Sequence, residues 1–310
     1  MAKKTEEKVS TSFIIDEIKK LNWNAINKKS EISFKIAIVG NKDEINEIKT
    51  NLMKDNSIIK TDLFETHYKK VHDKIIEVEV TDSKNVDLDL IKKADFCICC
   101  EDMKPLFQKE DISYYIFNNN HIEDMTKKII EENTEIYYAL PFNFPIFRNA
   151  SLTKAIGDTA MQNGIWVAGT SLGNIVPGPH QVVTAIAEGT SDTVVMTANE
   201  LKMMIELLAI SGKKINPLTC VAQYLIIAGL ANLAKLVATS LSGKIPAGAG
   251  VPMKAAIAYG FTYTIGQAIY IYINTGEKMG KEFFDKNIKE HSERIRSKME
   301  EMAKDIMKKK

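Results

Sequence analysis

The fold is decided by one stretch of sequence, Phe34-Lys35-Ile36-Ala37-Ile38-Val39-Gly40-Asn41-Lys42-Asp43. An apolar run that ends in a glycine and passes into a polar segment is typical of the first strand of a nucleotide-binding α/β domain. A phosphate loop would continue with a second glycine and a Gly-Lys-Ser/Thr sequence, which hold the phosphates and a magnesium ion. Residues 41–50 contain neither. The stretch therefore predicts an architecture more firmly than an activity.

Residues 31–140 alternate apolar runs of strand length with polar runs of helical length. We predict strands near 34–39, 75–80, 95–100, 113–117 and 136–139, and helices near 43–54, 87–93 and 121–132. Strands that alternate with helices form a parallel sheet, and a ligand crevice in such a sheet lies at the carboxyl ends of the strands. The predicted fold class is an α/β domain with a small parallel sheet, followed by an all-α hydrophobic domain.

Three polar or glycine positions follow the predicted strands: Gly40 after the first, Asp82 after the second and Asn120 after the fourth. In order and position they resemble the phosphate loop, the magnesium-side aspartate and the guanine-reading Asn-Lys-x-Asp of a small GTPase. Each is degraded, because Asp82 precedes no glycine and the segment after Asn120 offers only the Glu123 carboxylate. They are the candidate nucleotide-binding residues of a degenerate GTPase-like domain.

The alternative for Asp82 and Asn120 is structural, since Asp and Asn at strand ends close turns through their own side chains without any ligand. We favour this interpretation, because phosphoryl transfer needs phosphate positioning and charge neutralisation that these residues do not supply. We expect no catalytic residue, no cofactor and no metal site.

Composition excludes several classes of function. The net charge of +1 gives no bulk attraction to nucleic acid. Three of the four cysteines crowd into residues 97–100, a spacing that suits buried small side chains of a strand better than disulfides or a zinc site. The charged segment Met1–Lys8 is unlike a secretory leader, so we expect reduced thiols and a location at the cytoplasmic side.

Residues 141–276 are predicted to form a second domain, a hydrophobic helical one. It begins at the proline- and aromatic-rich segment 140–145, which we interpret as a linker and after which long uncharged stretches follow. Segments 159–187, 218–234 and 255–276 carry almost no charge and approach the length of a membrane span. Two interpretations stay open: the helices form a buried bundle, or they meet a membrane or a membrane-bound protein partner. Polar residues in or directly after the runs, such as Gln267 and Lys235, count against simple insertion into a membrane.

The two ends of the chain are predicted to be amphipathic helices. Residues 1–30 carry apolar side chains at helical spacing, namely Phe13, Ile14, Ile18, Leu21 and Ala25. Residues 277–310 are highly charged with one narrow apolar stripe, namely Phe284, Ile288, Ile295, Met299, Met302 and Ile306. This stripe suits docking onto the protein's own bundle or a short coiled coil, which leaves a homo-oligomer open.

Three ordered motifs carry a family resemblance: Thr197–Met204 with Leu208–Gly212, then Ile245–Gly250, then Lys254–Ala268. Together they resemble the uncharacterised YcjF-like hydrophobic domain that follows bacterial Era-like GTPase domains. The resemblance implies a GTPase-like domain in front but brings no known reaction, and no catalytic residue is carried over. The sequence thus predicts a non-catalytic GTPase-like scaffold or regulatory protein with a membrane-associated helical domain. A nucleotide-binding enzyme with unconventional phosphate contacts and a soluble helical interaction protein are the alternatives.

Overall fold

The computed structural model describes residues 16, 20–81, 86–108, 112–171, 192–216 and 250–308. It confirms the predicted fold class, a small parallel-sheet α/β region followed by a helical region. The chain divides into two compact units. The α/β unit comprises Asn24–Thr153 and Ala209–Lys214, and the helical unit comprises Met1–Trp23, Lys154–Leu208 and Ile215–Lys310.

The α/β unit is built on four parallel strands, β1 (Ile36–Gly40), β4 (Ile75–Glu79), β5 (Phe96–Cys99) and β6 (Tyr114–Ile116). Their order is β4-β1-β5-β6, with Ile38 of β1 opposite Glu77 of β4 and Ile98 of β5. Every residue of β1 is buried, as expected for a central strand covered on both faces. The apolar stretch at 34–40 therefore forms the centre of the sheet.

Short helices and a ribbon complete this unit. The helices are α1 (Trp23–Ser30), α2 (Lys42–Leu52), α3 (Phe64–Val71), α4 (Leu88–Ile91), α5 (Lys104–Phe107), α6 (Ile122–Glu132) and α7 (Ala139–Asn143). Between α2 and α3 lies a two-stranded antiparallel ribbon, β2 (Lys54–Asp55) and β3 (Thr61–Asp62), which the sequence did not predict. Strands of two residues leave no periodic pattern to detect.

The predicted strand near 136–139 is wrong. The chain there forms a 3-10 turn, Thr134–Ile136, followed by helix α7. A short apolar run is compatible with a buried strand or a buried helix, and periodicity alone does not separate the two. The segment predicted as a linker is likewise structured, because α7 continues into a 3-10 turn, Pro145–Phe147. Phe144, Ile146 and Phe147 are buried in the core of the α/β unit.

The described part of the helical unit contains α8 (Arg148–Ser171), α9 (Asp192–Ile210), α10 (Gly250–Thr275) and α11 (Lys281–Lys308). The first residues of α8 and the last of α9 belong to the α/β unit. Helix α10 is buried along most of its length, with Gly266 against Ile156 of α8 and Gly260 against Ser292 of α11. Within the described ranges, no helix combines the length and apolarity needed to cross a membrane.

The predicted terminal helices are described only in part. Phe13, Ile14 and Ile18 lie outside the described residues, and helix α1 begins at Trp23. At the other end, the predicted stripe is confirmed in part, because Phe284, Ile288 and Met299 of α11 are buried. Ile295 and Met302 are half-buried, and the side chain of Ile306 lies outside the described residues. Helix α11 packs along α10, which is the docking onto the protein's own bundle that the stripe predicted.

Candidate functional site

The strand order places a topological switch point between β1 and β5. From β1 the chain moves first to β4 on one side and then to β5 on the other. In open α/β sheets, ligands bind at the carboxyl ends of the strands where this reversal occurs. Gly40 ends β1 and Cys100 directly follows β5, so these residues mark the sheet edge at which this rule places a ligand.

Gly40 leads directly into helix α2, whose amino terminus is closed by its own side chains. Asn41 Oδ1 accepts hydrogen bonds from the amides of Asp43 and Glu44, both at 3.0 Å. The Glu44 carboxylate returns to accept the Asn41 amide at 2.8 Å, which completes a capping box. A Cβ on residue 40 would lie 2.6 Å from Glu44 Oε2, so glycine leaves the room that this carboxylate occupies.

These contacts occupy amides that a helix amino terminus could otherwise offer to an anion. A helix amino terminus attracts anions because its first amides are unpaired and its dipole end is positive. Here the Asn41, Asp43 and Glu44 amides already have side-chain acceptors, and the Glu44 carboxylate supplies the negative charge. The Asn41 and Glu44 side chains thus stabilise the start of the helix, and the three amides are already hydrogen-bonded.

Cys100 lies beside Glu44 and shares its environment. Burial, followed by the charge and hydrogen bond of Glu44, raises the pKa of the Cys100 thiol to about 12. The thiol is therefore protonated at neutral pH and is a poor nucleophile. Carboxylates also lie at these strand ends, because Glu79 is the last residue of β4 and Glu101 comes shortly after β5. Glu101 is paired with Lys104 at 3.1 Å. Carboxylates at this edge disfavour a polyphosphate ligand.

Asn120 lies in the turn after β6. Its amide donates to Asn118 Oδ1 at 2.8 Å, so Asn118 closes an Asx turn of the kind expected for a strand end. Asn119 Nδ2 donates to Glu47 Oε1 of helix α2. The polar groups of this turn therefore connect the end of β6 to α2, and Asn120 itself is exposed.

Of the three predicted site residues, the structure describes Gly40 and Asn120, at the ends of β1 and β6, whereas Asp82 lies outside the described residues. The described residues contain no group of three His, Cys, Asp or Glu side chains that could hold a metal ion. Cys97 and Cys99 are unpaired buried thiols of β5, and the hydrogen bond between them, together with burial, raises the pKa of Cys97.

The sequence interpretation missed Glu44 and Cys100. Glu44 had a readable signal, because Asn41-x-x-Glu44 directly after a strand is the pattern of a capping box. Cys100 had none, since its placement beside Glu44 depends on the pairing of β5 with β1.

A shallow open depression of about 490 Å³ lies elsewhere in the α/β unit, beside the β2–β3 ribbon. Its lining mixes ammonium, carboxylate and amide groups, namely those of Lys54, Asp55, Asn56, Lys60, Thr61, Asp62 and Glu123. Asp55 accepts the Ser57 amide at 3.0 Å and the Arg148 guanidinium at 3.1 Å, so this carboxylate is engaged. The mixture favours no single class of ligand.

Comparisons with protein-family models, with curated proteins and with solved structures found no match to this chain. The resemblance to the YcjF-like domain family therefore stays a prediction from its three motifs.

Proposed function

We propose that this protein is a non-catalytic, GTPase-like scaffold or regulatory protein. The observation that carries the proposal is the Glu44 carboxylate on the Asn41 amide at the amino terminus of α2. A nucleotide-binding relative would keep that position open for a phosphate and would place a lysine beside it. In this chain the position holds a fixed negative charge.

The chemistry of phosphoryl transfer explains why a carboxylate at this position matters. Such enzymes work by positioning phosphates and by neutralising the charge that develops on them. Glu44 adds charge of the wrong sign, and residues 41–50 contain no Gly-Lys-Ser/Thr sequence to offset it. A protonated Cys100 thiol supplies no nucleophile in its place.

The first prediction concerns nucleotides. Calorimetric titration of the full chain with GTP or ATP in the presence of Mg²⁺ should show no saturable binding up to about 1 mM, which corresponds to about 4 kcal/mol of binding free energy. Phosphate release should stay at the rate of a protein-free blank. An Asn120→Ala variant, matched by an exposed change such as Ile58→Ser, should give the same flat titration.

Saturable binding that disappears in Asn120→Ala or in Asp82→Ala, but persists in Ile58→Ser, would contradict the proposal. It would favour the alternative of a nucleotide-binding enzyme with unconventional phosphate contacts. A titration in which Glu44→Gln binds and the wild-type chain does not would instead support the role assigned to the Glu44 carboxylate.

We propose that the helical unit contacts a membrane or a membrane-bound protein partner. Support comes from the uncharged segment 218–234 and from the YcjF-like motifs. Burying apolar surface stabilises a protein by about 25 cal/mol per Å², so an apolar segment of this length favours a covering partner. Segment 218–234 lies outside the described residues, whereas segment 255–276 forms helix α10, which is buried within its own unit. The contact is therefore proposed for 218–234.

The second prediction tests this contact. We expect the full chain to be recovered with the membrane fraction of cells, and Ala228→Asp to move it to the supernatant, since an acid is costly in an apolar contact. Ile58→Asp, at an exposed site in the α/β unit, should leave the distribution unchanged. Ile269→Asp is unsuitable, because Ile269 is 1% exposed and an acid there would disrupt the bundle itself.

Recovery of the wild-type chain in the supernatant as a monomer would contradict the membrane contact and favour the alternative of a soluble helical interaction protein. Recovery there as a discrete homo-oligomer would indicate that segment 218–234 is covered by a second copy. Circular dichroism of Ala228→Asp shows whether any release reflects lost contact or lost fold.

A further inference from the structure

Glu200 of helix α9 is a buried acid that the proposed function does not use. Its side chain is 6% exposed, and Oε1 has no hydrogen-bond partner. A buried carboxylate with an unpartnered oxygen is costly when ionised, so the neutral form of the group is favoured. Burial accordingly raises the pKa of Glu200 to about 8 from its ordinary value of 4.5.

Asn199, which precedes Glu200 in the sequence, takes part in a buried series of side-chain hydrogen bonds between helices. Asn199 Nδ2 donates to Asn163 Oδ1 of α8 at 2.7 Å, and Asn163 Nδ2 donates to Thr262 Oγ1 of α10 at 2.9 Å. These two buried hydrogen bonds connect α9, α8 and α10. Along α9 itself, the neighbours of Glu200 at helical spacing include Met203 and Met204, which are fully buried.

Apart from Glu200, the charged side chains that the structure describes on these helices are paired or exposed. On α9, Lys202 and Glu206 lie 3.8 Å apart. On α8, Lys154 and Asp158 form an exposed pair at 2.8 Å, and on α10 Lys254 is exposed. Among the described residues, none of these groups donates to Glu200 or compensates its charge, since burial is the cause of its raised pKa.

We propose that Glu200 is a proton-dependent latch, which keeps α9 packed against α8 while the carboxyl group is neutral and loosens α9 when opening lets that group ionise in water. The direction with pH follows from linkage. In the opened helix the acid has its ordinary pKa near 4.5, whereas in the packed helix the pKa is about 8. Opening is therefore favoured increasingly from pH 4.5 to 8, by about tenfold per pH unit, and levels off above pH 8.

The test is amide hydrogen exchange of α9 in the full chain between pH 5 and 9, corrected for the intrinsic exchange rate. In the wild-type chain the opening constant should rise by about tenfold per pH unit and then flatten near pH 8. Glu200→Gln, which keeps the neutral shape, should remove this rise and lower the opening constant at pH 7.5 by at least about a hundredfold. The matched control Glu206→Gln should keep the wild-type slope.

An opening constant of the wild-type α9 that does not change with pH would overturn the proposal, as would an unchanged slope in Glu200→Gln. A carbon-13 titration of the glutamate carboxyl groups in the wild-type chain gives an independent readout if Glu200→Gln does not fold. A resonance with a midpoint near 8 supports the latch, and midpoints that are all near 4.5 refute it.

Discussion

Arg148→Met is expected to lower the free energy of unfolding of the α/β unit by about 3–5 kcal/mol. The Arg148 guanidinium and the Asp55 carboxylate form an ion pair at 3.1 Å, with side chains only 6% and 2% exposed. Arg148 Nε also donates to the Pro141 carbonyl at 3.4 Å. Removing the guanidinium leaves a carboxylate buried without its counter-charge, which is the costly way to break such a pair. Native-state hydrogen exchange of the β1 amides measures the loss.

Lys104→Met is the matched control in the same unit. Lys104 and Glu101 also lie 3.1 Å apart, but their side chains are 44% and 69% exposed. Exposed pairs contribute about 0–1 kcal/mol, so this change should have little effect. The double variant Asp55→Asn/Arg148→Met should lose less unfolding free energy than Asp55→Asn and Arg148→Met lose together as single variants. The reason is that neither charge then remains buried alone. Equal effects of Arg148→Met and Lys104→Met would refute the assigned role.

Parts of the fold were predictable because they follow from local patterns. Strand β1 reads as a continuous apolar run since both of its faces are covered, and α11 shows its buried stripe since one face packs on α10. The segment 136–147 was not predictable, because its buried residues carry the same apolar signal whether they form a strand, a linker or short helices.

The buried charged residues were harder to predict than the fold. Arg148 and Asp55 are 93 positions apart, and a charged residue normally predicts an exposed surface. For the same reason Glu200, with lysine and glutamate nearby on its helix, resembles an exposed position in the sequence. Both assignments depend on packing between distant segments. By contrast, Gly40 and Asn120 could be placed at strand ends because alternating strands and helices locate those ends.

Gly260→Ala is expected to destabilise the helical unit by about 1–3 kcal/mol, although alanine favours a helix over glycine by about 1 kcal/mol. A Cβ on residue 260 of α10 would lie 2.6 Å from the Ile288 carbonyl oxygen of α11 and closer still to Ser292 Oγ. The obstacle at Ile288 is backbone, which a rotamer change does not move. The two helices must therefore separate, which opens the contact that buries Ile288 and Phe284.

Gly157→Ala in α8 is the control that separates the clash from helix propensity. A Cβ there meets nothing within 4 Å, so only the propensity gain remains, and the variant should be more stable by up to about 1 kcal/mol. The same chemical change thus has opposite expected signs at two glycines of one unit. Urea unfolding followed by the circular dichroism of the full chain measures both variants. If Gly260→Ala were as stable as Gly157→Ala, the close approach of α10 to α11 at Gly260 would be refuted, because no other feature of the two sites predicts different signs.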